Sequence, residues 1–171
     1  MNVSRRLWLK TALAGLATAA LSETVEAGQV VGFGGNYRPG SIVIVTHARE
    51  LYYVLGQGRA IRYPVGVGKA GMAWSGHARI ARKDIRPAWS PPPDIWRRSP
   101  FIPEVIPGGR ADNPMGAAAM GLDRGNYAIH GTNQPGSVGR FVSHGCIRMH
   151  NSDILDLYRR APIGTEVHVL R

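Results

Sequence analysis

The 171-residue sequence predicts a mainly β, single-domain fold. Three observations predict it. Short β-branched or alternating runs recur along the chain, each bounded by turn residues. Glycine (22) and proline (12) are both abundant, which suits a turn-rich sheet protein better than a helical bundle. A single stretch, close to the C-terminus, has the period and end signals of a helix. Apolar residues make up 44% of the chain, enough for one core.

Residues 1–27 read as an export signal. Ser4 to Lys10 (SRRLWLK) is a charged start, and Thr11 to Leu21 is a small-residue apolar run too short to span a bilayer. Val25 and Ala27 place small side chains where a signal peptidase reads, so cleavage is expected after Ala27. Arg5-Arg6 followed by Trp8 resembles a twin-arginine signal, against an ordinary secretory signal or an uncleaved anchor. The periplasm is the expected location. The remaining residues carry 18 Lys+Arg against 9 Asp+Glu, a net +9. Such charge suits anionic partners such as wall polymers. Nucleic acid is not expected, because no basic-aromatic run of a nucleic-acid module appears.

The elements follow in order. Residues 28–40 are glycine-rich and expected as a flexible lead-in. Ser41 to Thr46 (SIVIVT) is a β-branched strand. Glu50 to Gly68 reads as a hairpin across Gly56-Gln57-Gly58. Gly76 to Lys83 (GHARIARK) alternates weakly as another strand. Arg86 to Gly116 holds most of the twelve prolines and excludes a long helix or a central strand. A segment of this length suits a lid or substrate wall, against a merely irregular connection. Gly125 to Gly131 is a short strand ending at His130. From Asn151 the helix begins: Asn151 as its cap, Asp153 in its first turn, Ile154, Leu155 and Tyr158 as its apolar stripe, Arg159-Arg160 in its last turn. Thr165 to Leu170 closes the chain as an alternating strand.

The chemistry centres on Cys146, the only cysteine, within Ser143 to Met149 (SHGCIRM). In an exported chain a lone cysteine cannot form an internal disulfide. It is either a reactive thiol or a buried inert one. A reactive thiol needs a base to take its proton, and His130 and His144 are the candidates. If the stretch is extended, His144, Cys146 and Arg148 face one side, while Ser143, Ile147 and Met149 face the other. Gly145 lets a substrate approach the backbone, and the N–H groups of Gly145 and Cys146 can hold an oxyanion. Arg148 suits either a substrate carboxylate or a structural ion pair. A zinc site built from Cys146, His130, His144 and His150 matches no common ligand spacing. No metal or cofactor is expected, and His47, His77 and His168 receive no role.

The stretch YAIHGTNQPGSVGRFVSHGCIRMHNSDILDLY resembles the signature of the L,D-transpeptidase catalytic domain, the YkuD-like family. LYYVLGQGRAIRYPVGVGK, PAWSPPP and VIPGGRADNPMG fit the same family in order. The resemblance covers residues 41–171. It implies a YkuD-like β-sandwich or barrel, with one short helix after the catalytic cysteine. It also implies a cysteine acyl transferase acting on peptidoglycan stem peptides, both as donor and as acceptor. D-alanine leaves, a thioester forms on Cys146, and an amine takes the acyl group in a 3→3 cross-link. Some relatives attach a wall protein or release the acyl group to water. The resemblance makes His130 the general base, oriented by the backbone carbonyl of Gly131. It places His144, Gly145 and Cys146 on the oxyanion side. Arg148 and Asn151 become shaping or binding positions, and Ser143 a loop support. A monomer is expected. One departure stands out: after VGVGKAG the family commonly has Thr-Pro-x-Gly, whereas this chain has Met72-Ala73-Trp74-Ser75-Gly76.

Overall fold

The computed structural model describes residues 27–99 and 101–171. The expected export signal, apart from Ala27, lies outside the described residues. Eleven strands and two helices appear among the described residues. In chain order they are β1 (Gln29–Gly32), β2 (Ile42–Val45), β3 (Glu50–Gly56), β4 (Arg59–Pro64), β5 (Val67–Gly68), β6 (Gly76–Ile85), α1 (Pro93–Arg98), β7 (Ala118–Leu122), β8 (Ala128–His130), β9 (Phe141–Ser143), β10 (Ile147–Arg148), α2 (Asn151–Arg160) and β11 (Glu166–Leu170). No helix among them is long and apolar enough to cross a membrane.

Nine strands form one sheet in the order β1-β4-β3-β2-β11-β6-β7-β8-β10, and β5 pairs with β9 in a second ladder. The β3–β4 hairpin turns through Gln57 and Gly58, at φ 52° and 67°. Positive φ at both central residues matches the turn to the twist of the flanking strands. The C-terminal strand β11 is central: it runs parallel to β2 and antiparallel to β6. Strand β6 spans ten residues, and its register with β7 shifts between Ile80 and Arg82. Such a bulge bends a strand and increases its twist.

One core cluster joins the two ends of this sheet. Ile42 and Ile44 of β2 share it with Met120 of β7, Ile129 of β8, Ile147 and Met149. Strands so far apart in the ladder meet only because the sheet curls over on itself. That is the expected sandwich-like architecture. Helix α2 closes it, with Ile154 and Leu157 fully buried. Leu155 and Tyr158, expected in the apolar stripe, are only partly buried against the core.

The structure differs from the sequence expectations in four places. Residues 28–40, expected as a flexible lead-in, carry β1, whose four residues pair antiparallel with β4. Phe33 then packs on Tyr52, with ring centroids 4.7 Å apart. The glycines masked a paired edge strand. Helix α1 is a second short helix, inside the proline-rich segment. Pro93 is tolerated at its first turn because that N–H has no helical partner anyway. Strand β7 escaped notice because Ala118, Ala119 and Gly121 carry no strand propensity, yet all five of its residues are buried. Finally, Asn151 is not the helix cap. His150 occupies that position without a side-chain cap bond, and Asn151 opens the helix.

The proline-rich segment is ordered by one buried amide. Asn113, 1% exposed, donates from Nδ2 to the carbonyls of Pro87 (2.9 Å), Ile106 (3.1 Å) and Pro107 (3.1 Å). An irregular chain has carbonyls that no ladder satisfies; this side chain reaches those of Pro87 and Pro107, and shares the Ile106 carbonyl with the Trp89 N–H.

Candidate active site

Two short parallel strands bring the candidate residues together. β10 lies beside β8 with Ile147 opposite Ile129 and Arg148 opposite His130. The Met149 N–H donates to the His130 carbonyl at 2.8 Å. Cys146 therefore stands at the entry of β10, level with the start of β8. Its thiol faces the Asn126 carbonyl at 3.9 Å, and the Ala128 N–H points at the sulfur. Ile147 and Met149 are buried anchors, as alternation predicts.

The stretch is not one continuous strand. β9 ends at Ser143 and β10 begins at Ile147. Gly145 breaks the run at φ 118°, a conformation L side chains rarely adopt. A Cβ there would lie 2.3 Å from Tyr127 Cε1, so the loop packs directly on that ring. Ser143 is 2% exposed and ties the loop from within. Its Oγ accepts the Gly145 N–H at 3.1 Å and donates to the Cys146 carbonyl at 2.6 Å. The expectation that the Gly145 N–H holds an oxyanion is thereby corrected, since Ser143 already engages it.

His130 is 4% exposed. Its Nδ1 lies 2.5 Å from the Gly131 carbonyl. A carbonyl only accepts, so Nδ1 carries the hydrogen and Nε2 holds the lone pair. Burial drives the His130 pKa down to about 4; the Gly131 carbonyl opposes the shift, and the Arg148 charge adds to it. Burial pushes the Cys146 thiol up, while the Ala128 N–H and Arg148 pull the other way. The resting pair is accordingly a neutral imidazole and a neutral thiol, not an ion pair.

Arg148 is half-buried, and its Nε is a buried donor with no acceptor among the described residues. Desolvation lowers its pKa, and a thiolate on Cys146 would raise it. A buried guanidinium N–H without a partner is costly. Asn151 stands behind His130. Its Oδ1 accepts the Ala117 N–H at 2.9 Å and the Thr132 N–H at 3.2 Å. Gly116 and Gly131 make room for it, as a Cβ at either would sit 2.3 Å from that oxygen. Asn151 thus buttresses the turn that carries the His130–Gly131 contact.

His144 is exposed, with Nε2 3.3 Å from Lys69 Nζ, on the outer side of the loop. Sequence reasoning missed Lys69, Tyr127 and Arg124, and flagged Trp74 only as a departure from the family pattern. Trp74 Nε1 donates to the Gly145 carbonyl at 3.0 Å. Beside the site, Arg86, Arg110, Asn133 and Asn151 line a polar cleft of about 320 Å³.

The family model for the L,D-transpeptidase catalytic domain, YkuD, matches residues 39–169. "Probable L,D-transpeptidase ErfK/SrfK" of Escherichia coli (strain K12) is 37% identical over 139 residues, 78% of this chain and 44% of that protein. YqjB of Bacillus subtilis (strain 168) is 35% identical over 142 residues, 78% of this chain and 74% of that protein. The chain therefore spans less than half the length of the first of these relatives. Among solved structures, a mutant of the Enterococcus faecium L,D-transpeptidase superposes with a TM-score of 0.61 at 17% identity, over 78% of this chain and 50% of that one. L,D-transpeptidase 3 from Mycobacterium tuberculosis, in complex with a faropenem-derived adduct, gives 0.56 at 18% identity, over 77% and 60%. These structures share the fold, and the family match settles the rest: the chain belongs to the YkuD family of L,D-transpeptidase catalytic domains.

Proposed function

We propose that this domain is a peptidoglycan L,D-transpeptidase that carries its acyl group as a thioester on Cys146. The observation that carries the reading is the buried His130 at the end of β8, the strand paired with the one that Cys146 enters, with its tautomer held by the Gly131 carbonyl and its pKa lowered by burial. An imidazole held neutral can accept a proton at ordinary pH.

The steps balance as follows. Nε2 of His130 takes the Cys146 proton as the sulfur bonds to the carbonyl carbon between diaminopimelate and the terminal D-alanine. The Cys146 N–H, the amide of its loop that Ser143 does not engage, receives the oxyanion. The carbon–nitrogen bond breaks, the His130 proton passes to the departing D-alanine amine, and a thioester remains. An acceptor amine then attacks the thioester and gives its proton to His130. The carbon–sulfur bond breaks, and that proton returns to the Cys146 thiolate. The Arg148 guanidinium is assigned to a stem carboxylate, which it can bind by a two-pronged contact. The net charge of +9 on residues 28–171 draws the domain to an anionic wall polymer. Such a substrate places the protein outside the cytoplasmic membrane, in keeping with the export signal that residues 1–27 spell.

The test is incubation of the purified protein with a tetrapeptide stem, followed by mass spectrometry. A 3→3 dimer and released D-alanine are expected, both absent in Cys146→Ala. D-alanine without a dimer makes the domain a carboxypeptidase. Neither product, with no covalent mass on Cys146 after exposure to a carbapenem, leaves a non-catalytic wall-binding domain.

A further inference from the structure

The loop before the nucleophile is held from outside by an aromatic stack that the acyl-transfer steps do not use. Trp74 is 8% exposed and lies parallel to Tyr127, with ring centroids 5.2 Å apart and planes 6° apart. The Arg124 guanidinium lies over the Trp74 ring at 5.0 Å. From this clamp, Trp74 Nε1 donates to the Gly145 carbonyl at 3.0 Å. Tyr127, the other half of the stack, is the ring on which Gly145 rests.

The bond acts on a single peptide plane. In a planar trans peptide the carbonyl of one residue and the N–H of the next point in opposite directions. Fixing the direction of the Gly145 carbonyl therefore fixes the direction of the Cys146 N–H. Three of the four backbone polar groups of Gly145 and Cys146 have partners: Ser143 takes the Gly145 N–H and gives to the Cys146 carbonyl, and Trp74 gives to the Gly145 carbonyl. The Cys146 N–H is the fourth, on the opposite side of the plane from Trp74. Gly145 has no Cβ to restrict it, and the indole is the side-chain donor that acts on this plane directly, while Ser143 holds the groups on either side of it.

We infer that Trp74 is a positioning residue for acyl transfer: its indole N–H holds the Gly145 carbonyl so that the Cys146 N–H faces the developing oxyanion. The inference rests on the acyl-transfer reading above. It gives the Met72–Gly76 departure from the family pattern a purpose. A buried indole donor there holds a carbonyl 71 positions further along the chain.

Trp74→Phe tests it, because phenylalanine keeps a flat ring against Tyr127 and removes only the donor. Three rates or signals are read on the full chain. Thioester formation with the tetrapeptide stem, under single turnover, should fall at least about tenfold, toward the roughly 10²–10³ that loss of one oxyanion donor costs. Alkylation of Cys146 by iodoacetamide passes through no oxyanion and should stay within about twofold, which a collapsed site would not allow. The Gly145 carbonyl and Cys146 amide resonances should both shift. Equal acylation in the variant and the wild type overturns the inference. So does a parallel loss of acylation and alkylation, which marks a disordered loop rather than a mis-aimed amide. A wild-type protein that forms no thioester overturns the acyl-transfer reading and this inference with it; a wild type that acylates beside an equally fast Trp74→Phe overturns this inference alone.

Discussion

Acidification should weaken this fold through His130, and the size of the effect follows from its burial. In the unfolded chain the imidazole titrates at its ordinary 6.5; in the folded domain burial holds it at about 4. Protons therefore bind the unfolded state preferentially between those values. The stability is complete above pH 6.5 and is lost progressively as the pH falls toward 4. A difference of about 2.5 units at about 1.4 kcal/mol per unit corresponds to roughly 3 kcal/mol. The comparison protein is His130→Asn, whose amide can still donate to the Gly131 carbonyl but does not titrate. Urea unfolding of both proteins at pH 7, 6, 5 and 4 isolates the term. Carboxylates such as Asp153 and Asp156 titrate in both and cancel. The wild type should lose about 3 kcal/mol more than the variant across this range. Parallel curves would refute the reasoning, since they would mean that His130 is hydrated and ordinary in the folded state. The same depression predicts that the acid limb of wild-type thioester formation lies near pH 4 instead of 6.5. A limb at 6.5 would show a histidine that protonates freely and cannot be the buried group seen here.

Two further outcomes follow from the frame around the site. Asn151→Ala leaves the Ala117 and Thr132 N–H groups without their shared acceptor and should cost about 1–3 kcal/mol in thermal or urea unfolding. Thioester formation should fall as well, because the Thr132 bond braces the turn beside His130, whereas Asn151→Asp, which keeps the acceptor oxygen, should retain more of both. Tyr63→Phe removes the 2.6 Å bond to the buried Asp156 carboxylate, which Arg160 also holds at 2.9 and 3.0 Å. It should cost about 1–3 kcal/mol by denaturant unfolding with no change in the Cys146 alkylation rate, because this pair ties β4 to α2 and neither residue contacts the thiol's loop among the bonds described.

Much of the fold was legible in local pattern. The β-branched run Ser41–Thr46, the Gly56-Gln57-Gly58 turn and the alternating Thr165–Leu170 each matched a strand or hairpin, because their signals act within a few residues. β7 was not legible. Its alanines and glycine are small because Arg82 and α2 pack closely there, a tertiary reason that leaves no strand propensity in the sequence. β1 was hidden for a related cause: an edge strand is defined by its partner, and glycine-rich residues look like a loop until β4 is beside them.

The site divides along the same line. The sequence by itself determined which groups are present: a single thiol, a histidine ahead of Gly131, an arginine two residues after the thiol, and glycines where the backbone must come close. Alternation alone also placed Ile147 and Met149 in the core. Only the tertiary structure decided what those groups do to one another. The β8–β10 register set His130 opposite Arg148 and Cys146 level with the start of β8, and burial lowered the His130 pKa and raised that of Cys146. Ser143 removed the Gly145 N–H from the oxyanion side, and Asn151 became a brace instead of a cap. Trp74, far from the motif in sequence, reached its carbonyl. Residue identity is carried by the chain, but desolvation, hydrogen-bond partners and peptide orientation depend on segments distant in sequence, and these exist as neighbours only after the sheet has curled closed.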